Sequence, residues 1–479
     1  MNAAVTPAAT ERAESVPTLV AAAISLIEQQ RYQQAAAVLD RALAQRPGDN
    51  EIWNALGLCA RELGHYQAAL ALCRRAIALD PRLAGAWSNI GLVYRDLAMP
   101  ETAMACLKRA VELQPGERGH HHNLGVGCVA AMRHRDALAA FDAALTLEPG
   151  NARSTYSRAL CHLALGDFRR GWADYRARFA AGIVPPRRLP GNPWAAQPYG
   201  GQRLVVAFEQ GLGDGIWAAR ALAPAKALGG ELIVECPETL IPLLASMGVV
   251  DRFVPYGRLL PDAAWHAHLC DLPGLLLPDP REVRAAPYLR SIPSRHHKFR
   301  VLREGADDAV KIGIVWSGNT RFKRNMHRAT ALRRFIDAFA LPGVRLFSLQ
   351  KGSPEAELRG HPEIVDLAPL LEDFADTAAA VDQLDLVIMT DTAVAHLAGA
   401  LVRPVWVLLG YDPAWLWMVE RSDSPWYPSL RLFRPLGGIG WDSVFAAAAA
   451  ELKRLLVSRF RSSLSSSHVP ERTSESQGR

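Results

Sequence analysis

The sequence predicts an α + α/β chain: a helical repeat solenoid followed by a pair of parallel α/β halves. Three observations carry that expectation. Pro47, Pro81, Pro115 and Pro149 recur at a 34-residue spacing. Residues 183–202 (IVPPRRLPGNPWAAQPYGGQ) hold five prolines and three glycines, and the repeat stops there. Beyond them, apolar strand-like runs alternate with helical segments, the pattern of a parallel sheet. At 479 residues the chain has room for about three domains. Hydrophobic residues are 49% and charged residues 21%, enough apolar material for packed cores.

The solenoid spans residues 16–182. Ala35, Ala69, Ala103 and Ala137 share the 34-residue period, as do Ala42, Ala76, Ala110 and Ala144. Trp53 and Trp87 occupy one repeat position, and Gly57, Gly91 and Gly125 another. Each unit reads as two helices. Gly57 and Ala69 lie where the pair must approach closely, and the proline, lacking an N–H, ends the second helix. One such unit cannot bury its apolar face, so neighbours stack. Repeats start near Val16, Asn50, Ala84 and Arg118, with a degenerate fifth from Ala152 in which Gly171 replaces the second-helix alanine. Its Trp172, Tyr175 and Phe179 are expected to cap the stack against the next domain. This Trp, Leu-Gly, Ala, Ala, Pro pattern resembles the tetratricopeptide repeat. The resemblance implies a groove that takes a protein or peptide; scaffolding or dimerisation is the alternative. His120, His121 and His122 invite a metal reading, but consecutive helical residues point in different directions, so a solvated or partly packed surface is expected.

After the linker at 183–202, with Trp194 as an anchor, come two Rossmann-like halves, 203–305 and 306–457. The first contains expected strands at Arg203–Glu209, Glu231–Cys236 and Arg252–Tyr256, with helices from about Ile216 to Leu228 and Glu238 to Met247. The second contains Lys311–Trp316, Val344–Leu349, Leu384–Met389 and Val405–Leu409, and helices near Ala331–Phe339, Asp376–Gln383 and Ala393–Ala400. A last helix at 443–457 is expected to pack back on the amino-terminal half. Residues 458–479, rich in serine, read as a disordered tail.

Two loops carry the chemistry. Gln210, Gly211, Leu212, Gly213 and Asp214 follow a strand and open a helix. Glycines there permit a tight turn and close ligand approach. The loop is not a full dinucleotide fingerprint, because Ala218 takes the third glycine position and Asp214 would repel a pyrophosphate. Asp214 suits a general base or a cap on the helix that follows. The second loop, Thr390 to Leu401 (TDTAVAHLAGAL), also leaves a strand for a helix. Its first N–H groups suit a diphosphate, Asp391 suits a helix cap or a sugar hydroxyl, and His396 lies one turn beyond Thr392 on the same side. No D-x-D occurs anywhere in the chain. Basic side chains at Lys323, Arg328 or Lys351 are then candidates to neutralise phosphate, and each is alternatively a solvated surface cation. Trp415, Trp417 and Trp426 suit stacking on a base or sugar, or core packing.

D-T-A-V-A-H-L-A-G-A-L followed by R-P-V-W-V-L-L-G resembles the signature of glycosyltransferase family 9, the heptosyltransferase-like enzymes, and Gly211–Asp214 is similar to that family's amino-terminal loop. Trp316–Asn319 (WSGN) and Ser348–Gly352 (SLQKG) resemble motifs of bacterial proteins that join tetratricopeptide repeats to this domain. The resemblance spans about residues 203–457. It implies a GT-B-type pair of Rossmann-like domains and inverting transfer from a nucleotide-activated sugar. It makes Asp214 the catalytic base, and Asn319, Lys323, Arg328, Gln350, Lys351, Asp391, Thr392 and His396 the donor side, with no metal and the nucleotide sugar as co-substrate. The K-x-W-P context usual after W-S-G-N in heptosyltransferases is replaced here by Asn319–Arg328 (NTRFKRNMHR), which leaves the sugar open.

Charge argues against a dedicated nucleic-acid binder. The net charge is +6, split as +3 before residue 183 and +3 after it, with no concentrated basic stripe. No apolar run reaches the ~18–20 residues of a membrane span, although peripheral membrane contact remains open. No signal-peptide pattern opens the chain. Seven cysteines without a C-x-x-C pair read as small buried apolar residues in a reducing cytoplasm. The reading is therefore a cytoplasmic glycosyltransferase whose repeats recruit a protein. The alternatives are a non-catalytic adaptor that retains a degenerate sugar-nucleotide domain, and a dinucleotide oxidoreductase.

Overall fold

The structure is a computed structural model that describes residues 14–280, 286–304, 309–322, 325–435 and 440–466. The chain divides into two compact units, Met1–Cys161 and His162–Arg479. Among the described residues no helix is long and apolar enough to cross a membrane.

The first unit is built of helix pairs. These are α1 (Val16–Glu28) with α2 (Tyr32–Gln45), α3 (Asn50–Glu62) with α4 (Tyr66–Leu79), α5 (Ala84–Asp96) with α6 (Pro100–Leu113), and α7 (Arg118–Ala130) with α8 (His134–Leu147). α9 (Ala152–Ala164) follows, and the division between the units falls inside it. All eight alanines of the two periodic columns are fully buried. The glycine column is a close-approach device. A Cβ at Gly57 would sit 2.3 Å from Cys73 Sγ, and one at Gly125 would sit 2.5 Å from Phe141. Trp53 and Trp87 donate their indole N–H to the carbonyls of Pro47 and Pro81, at 2.9 and 3.0 Å. His121 occupies the same repeat position and bonds the Pro115 carbonyl at 2.8 Å. The three histidines therefore diverge: His120 is buried, His121 replaces the tryptophan, and His122 bonds Ser154 Oγ at 3.0 Å.

A second period lies in the backbone. Gln30, Gly64, Ala98 and Met132 have φ of 60, 82, 57 and 59°, one at each turn inside a helix pair. The left-handed region costs a side-chain-bearing residue about 1 kcal/mol or more, so glycine suits one of these turns and is missing from three.

The second unit opens with α10 (Phe168–Tyr175) and α11 (Ala177–Ala180). The division between the two compact units falls inside the expected fifth repeat, so α10 and α11 belong to the same unit as the α/β region. Strands follow in parallel. The first sheet holds β1 (Asn192–Pro193), β2 (Arg203–Ala207), β3 (Glu231–Cys236), β4 (Arg252–Pro255) and β5 (Trp265–His268), in the order β1-β5-β2-β3-β4. The second holds β6 (Val310–Val315), β7 (Val344–Ser348), β8 (Val365–Asp366), β9 (Leu386–Thr390), β10 (Val405–Leu408) and β11 (Leu430–Phe433), in the order β11-β10-β9-β6-β7-β8. Strand order reverses between β2 and β5 in one sheet and between β6 and β9 in the other, the crevices where such sheets take ligands.

Connecting helices depart from the expectation in places. The helix expected from Ile216 to Leu228 starts at Leu212 and is broken into α12 (Leu212–Ala218), a 3-10 turn, and α13 (Leu222–Ala227). Pro224 has no N–H for the carbonyl four residues back, and its ring crowds that carbonyl. α14 (Ile241–Ala245) and α15 (Leu272–Leu276) complete the first half. The linker 183–202 is not wholly loop: Asn192–Pro193 pairs with Trp265–His266, and Trp194 is 1% exposed. The stretch Pro293–Leu302 between the halves is pinned, because Arg295 and Lys298 bond Asp376, whose side chain is fully buried.

The second half adds α16 (Asn325–Arg328), α17 (Leu332–Phe339), α18 (Phe374–Val381), α19 (Ala393–Ala400) and α20 (Trp441–Ser466). α20 corrects two expectations. It runs nine residues past 457, through the start of the expected tail, and residues 467–479 of that tail lie outside the described residues. Among the described residues, Val444, Phe445, Ala448 and Leu452 pack on Leu332, Phe335 and Phe339 of α17 in the second half's own core rather than on the first half.

Gly64→Ala tests the backbone period. A Cβ there meets nothing within 4 Å, so the cost is conformational, about 1 kcal/mol. Ala98→Gly is expected to shift the urea midpoint the opposite way, by roughly half as much because glycine loses more chain entropy. Equal signs for the two would refute the assignment.

Candidate functional site

The carboxyl ends of β2 and β9 bring two helix starts together. After β2 come Phe208, Glu209 and Gln210, the last with φ 67°. Its side chain turns to Tyr175, donating Nε2–H to the hydroxyl at 2.9 Å, so Gln210 shapes the loop rather than presenting its amide to the site. Gly211 precedes α12, and Asp214 is that helix's third residue. Its Oδ2 accepts the Gly211 N–H at 3.1 Å. Asp214 thus ties the helix start from its third position, rather than capping a helix that begins at Gly215. Burial pushes Asp214 up to about 6. The Gly211 N–H opposes that shift, the Asp391 carboxylate adds to it, and Arg328 opposes it.

From the other half, Thr392 is the N-cap residue of α19 and Asp391 precedes it, both buried. The hydroxyls of Thr390 and Thr392 are buried without a hydrogen-bond partner among the described residues. His396 is 5% exposed. Its Nδ1 bonds the Tyr427 hydroxyl at 3.0 Å, and its ring stacks on Trp417 with centroids 4.8 Å apart and planes at 20°. Burial, then Arg220 and Arg328, push its pKa down to about 3, so it is neutral at physiological pH.

α12 and α19 meet at Gly213. A Cβ there would lie 2.8 Å from His396 Cδ2 and 3.3 Å from Ala393 Cα. This contact sets Asp214 and Asp391 close enough for each to feel the other's charge. Arg328 approaches from α16. Its guanidinium lies over the Phe322 ring, 5.0 Å from the centroid, and Nε donates to Asn325 Oδ1 at 3.4 Å.

Of the expected donor-side residues, the structure therefore gathers Asp391, Thr392, His396 and Arg328 around Asp214. Gln350 is 2% exposed and its amide is spent: Oε1 accepts the Trp316 and Ser317 N–H groups, and Nε2 donates to the Ser317 and Lys351 carbonyls. It holds the loop after β6 in place. Lys351 gives its ammonium to the Ala368 carbonyl at 2.9 Å. Asn319 is exposed and accepts the Arg321 N–H in a local turn. Lys323 lies outside the described residues. Trp417 and Trp426 are buried in packing, Trp426 edge-on to Trp217 at 5.3 Å, while Trp415 stays half-buried beside Trp172.

Sequence reasoning missed Arg220, Tyr427 and Asn325. Arg220 is 5% exposed, donates to the Trp217 and Trp426 carbonyls at 2.9 and 3.1 Å, and lies over the rings of Tyr427, Tyr288 and Trp426. It joins the two halves behind the site. Asn325 holds the WSGN loop, accepting the Gly318 N–H at 3.1 Å and donating to Ser317 Oγ at 3.1 Å. No local spacing points to Arg220, because its partner Trp426 lies 206 positions away.

Comparison with known proteins bears on the first unit and on part of the second. A tetratricopeptide repeat family model matches residues 20–84 and 129–181, and a second one matches 84–117. The chain carries tetratricopeptide repeats. Protein FlbA of Caulobacter vibrioides is 30% identical over 336 residues, covering 63% of this chain and 55% of FlbA. The chain thus spans about half the length of the curated relative it matches. Solved structures similar to the repeats include a thermophilic tetratricopeptide repeat protein of Thermus thermophilus (23% identity, 35% of this chain and 91% of that one, TM-score 0.33) and PilF of Pseudomonas aeruginosa (20% identity, 36% and 78%, TM-score 0.31). The repeats point to protein–protein interaction, and the carboxy-terminal region is a parallel-sheet α/β structure.

Gly213→Ala tests the junction. The added methyl has backbone on one side and a packed imidazole on the other, so it is expected to cost about 1–3 kcal/mol. Gly200→Ala meets nothing within 4 Å and is expected to stay within about 0.5 kcal/mol. Thermal unfolding of the two variants checks this; equal melting temperatures would remove the close-contact role of Gly213.

Proposed function

We propose that the α/β unit transfers a sugar from a nucleotide-activated donor to an acceptor hydroxyl with inversion, and that the repeats recruit the protein that carries or delivers the acceptor. One observation carries the reading. A carboxylate raised to about 6 at one sheet's switch-point loop meets the start of a helix at the other sheet's switch point, whose N-cap hydroxyl is buried and unpartnered among the described residues. The family 9 resemblance of those two segments supports it. Asp214 takes the proton of the acceptor hydroxyl as that oxygen bonds the anomeric carbon. The bond from that carbon to the diphosphate oxygen breaks, and the electron pair leaves with the diphosphate. Helix α19's first N–H groups, the Thr392 hydroxyl and Arg328 receive the leaving charge. No metal is assigned a part in this scheme, and the nucleotide sugar is a co-substrate. A base raised from 3.8 to about 6 is a stronger proton acceptor than a free aspartate and is still ionised at neutral pH. All seven cysteines are buried and none forms a disulfide, which suits a reducing compartment such as the cytoplasm.

The test starts with thermal-shift titrations of UDP, GDP, ADP and CDP, then turnover with the matching sugar nucleotides. kcat/KM is expected to rise as pH passes about 6 and then level off, and Asp214→Asn is expected to lose about 10²-fold or more in kcat. Failure of all four diphosphates to stabilise the protein would favour the adaptor reading, a tetratricopeptide protein with a degenerate sugar-nucleotide domain. Unchanged turnover in Asp214→Asn would remove the base.

The same burial gives a stability prediction. Asp214 has a folded pKa above its ordinary 3.8, so the folded state holds the proton longer and stability falls as pH rises from about 4 to about 6. Asp214→Asn, which keeps an oxygen for the Gly211 N–H and carries no charge, is expected to melt no lower than wild type at pH 8. A clearly lower melting temperature there would contradict the stated direction.

A further inference from the structure

The first sheet's switch crevice, between β2 and β5, is already filled. Arg178 on α11 enters it with no exposed surface. Its Nη2 lies 3.0 Å from Glu209 Oε1, just past the end of β2, and 2.6 Å from Asp271 Oδ1, just past the end of β5. The Tyr175 and Phe179 rings cover the guanidinium at 4.5 and 4.2 Å. Glu209 also accepts the Cys270 N–H at 3.2 Å, so one carboxylate ties β2, β5 and the helical segment together. Glu209 and Gln210 lead directly into the loop that presents Asp214, and Gln210 is held by the Tyr175 hydroxyl at 2.9 Å in a left-handed backbone conformation that costs a side-chain-bearing residue about 1 kcal/mol or more.

We infer that α10 and α11 form a positioning clamp for the Gly211–Asp214 loop: Arg178 and Tyr175 fix Glu209 and Gln210, and through them the direction in which Asp214 points. The inference rests on the proposed role of Asp214. Burial pushes Glu209 up to about 7 even beside Arg178, so pulling the cation out would strand Asp271 and leave Glu209 without its counter-charge, which makes the clamp rigid. It acts on the loop with no atom of its own at the reacting centre. The α/β enzyme then begins near His162, within the degenerate fifth repeat, and not at the linker. The crevice that would take a dinucleotide's phosphates in this half is occupied by a cation bound to two acids, which opposes the oxidoreductase alternative.

The experiment uses the full chain and two variants. Tyr175→Phe keeps the ring over Arg178 and removes only the hydroxyl that holds Gln210. Arg178→Met removes the cation, and Arg178→Met with Glu209→Gln is the reserve if the single change does not fold. Hydrogen–deuterium exchange reads the loop without any substrate: amides of 210–215 are expected to exchange about tenfold faster or more in the variants, with α19 unchanged. With a sugar nucleotide that wild type turns over, kcat is expected to fall about ten- to a hundredfold while the donor KM changes less than about threefold, because the donor side is untouched. Arg178→Lys, which keeps the charge but not the fork, is expected to recover part of kcat. Wild-type exchange at 210–215 in Tyr175→Phe and in a folded Arg178→Met would overturn the clamp. If wild type neither binds a nucleoside diphosphate nor turns over, the proposed function fails while the exchange result still decides the clamp.

Discussion

A missing side chain at Gly213 is the constraint on which the site depends. Helices packed through ordinary side chains keep their axes about 8–10 Å apart. With only hydrogen at Gly213, the backbone of α12 comes against Ala393 and the edge of His396. That approach sets Asp214 beside Asp391 and shields both from water, and shielding is the largest cause of the raised pKa. The packing behind the contact reinforces it. Tyr427 lies against Gly399 one turn further along α19, where a Cβ would come within 2.5 Å of its ring, and its hydroxyl holds the His396 imidazole. Two glycines on neighbouring elements thus let an imidazole, a phenol and two carboxylates share a space that any side chain would have split.

Buried arginines hold this arrangement in two different ways. Arg178 is balanced by two acids. Arg220 has hydrogen bonds to carbonyls and the faces of three aromatic rings. Arg434, held by the carbonyls of Arg421, Trp417 and Met418, is pushed down to about 10 by burial alone. Carbonyl dipoles and ring faces stabilise a guanidinium less than a carboxylate does, but they leave no negative charge behind. Near a site that is proposed to receive a diphosphate, that difference matters. An acid beside Arg220, which already acts on His396, would bring negative charge to the edge of that site.

What the sequence made legible follows from where the partners lie. The solenoid could be read because every repeat repeats its own contacts: the buried alanines, the glycines facing Cys73 and Phe141, and the tryptophan–proline bond all recur at one spacing. Even so, His121 escaped, because substitution at a tryptophan position hid a bond that geometry preserves. The loops at Gly211–Asp214 and Asp391–His396 could be read because strand-to-helix turns have local signatures. Gln350 looked like a ligand-facing amide, yet its four bonds go to backbone drawn in from residues 316, 317 and 351. The strand β5 was missed because Trp-His-Ala-His is no apolar run; parallel pairing with β2 and β1, far upstream in the chain, makes it a strand. The Arg178 clamp had no local signature at all.

The electrostatics of the junction also bear on the order of events in the proposed reaction. Asp214 and Asp391 already repel each other, and Arg328 offsets part of that repulsion. Negative charge arriving at the start of α19 would add to the Asp391 effect and strengthen Asp214 as a proton acceptor, while drawing Arg328 toward itself would remove a counterweight. Both effects have one sign. Donor binding would therefore raise the base's affinity for a proton before the acceptor hydroxyl arrives, and departure of the diphosphate would lower it again, helping the proton leave. His396 cannot buffer this change, because its buried ring stays neutral across the working range. In the proposed reaction the proton-accepting strength of Asp214 would thereby be tied to occupancy of the opposite half, through a contact that a methyl at Gly213 would pry open.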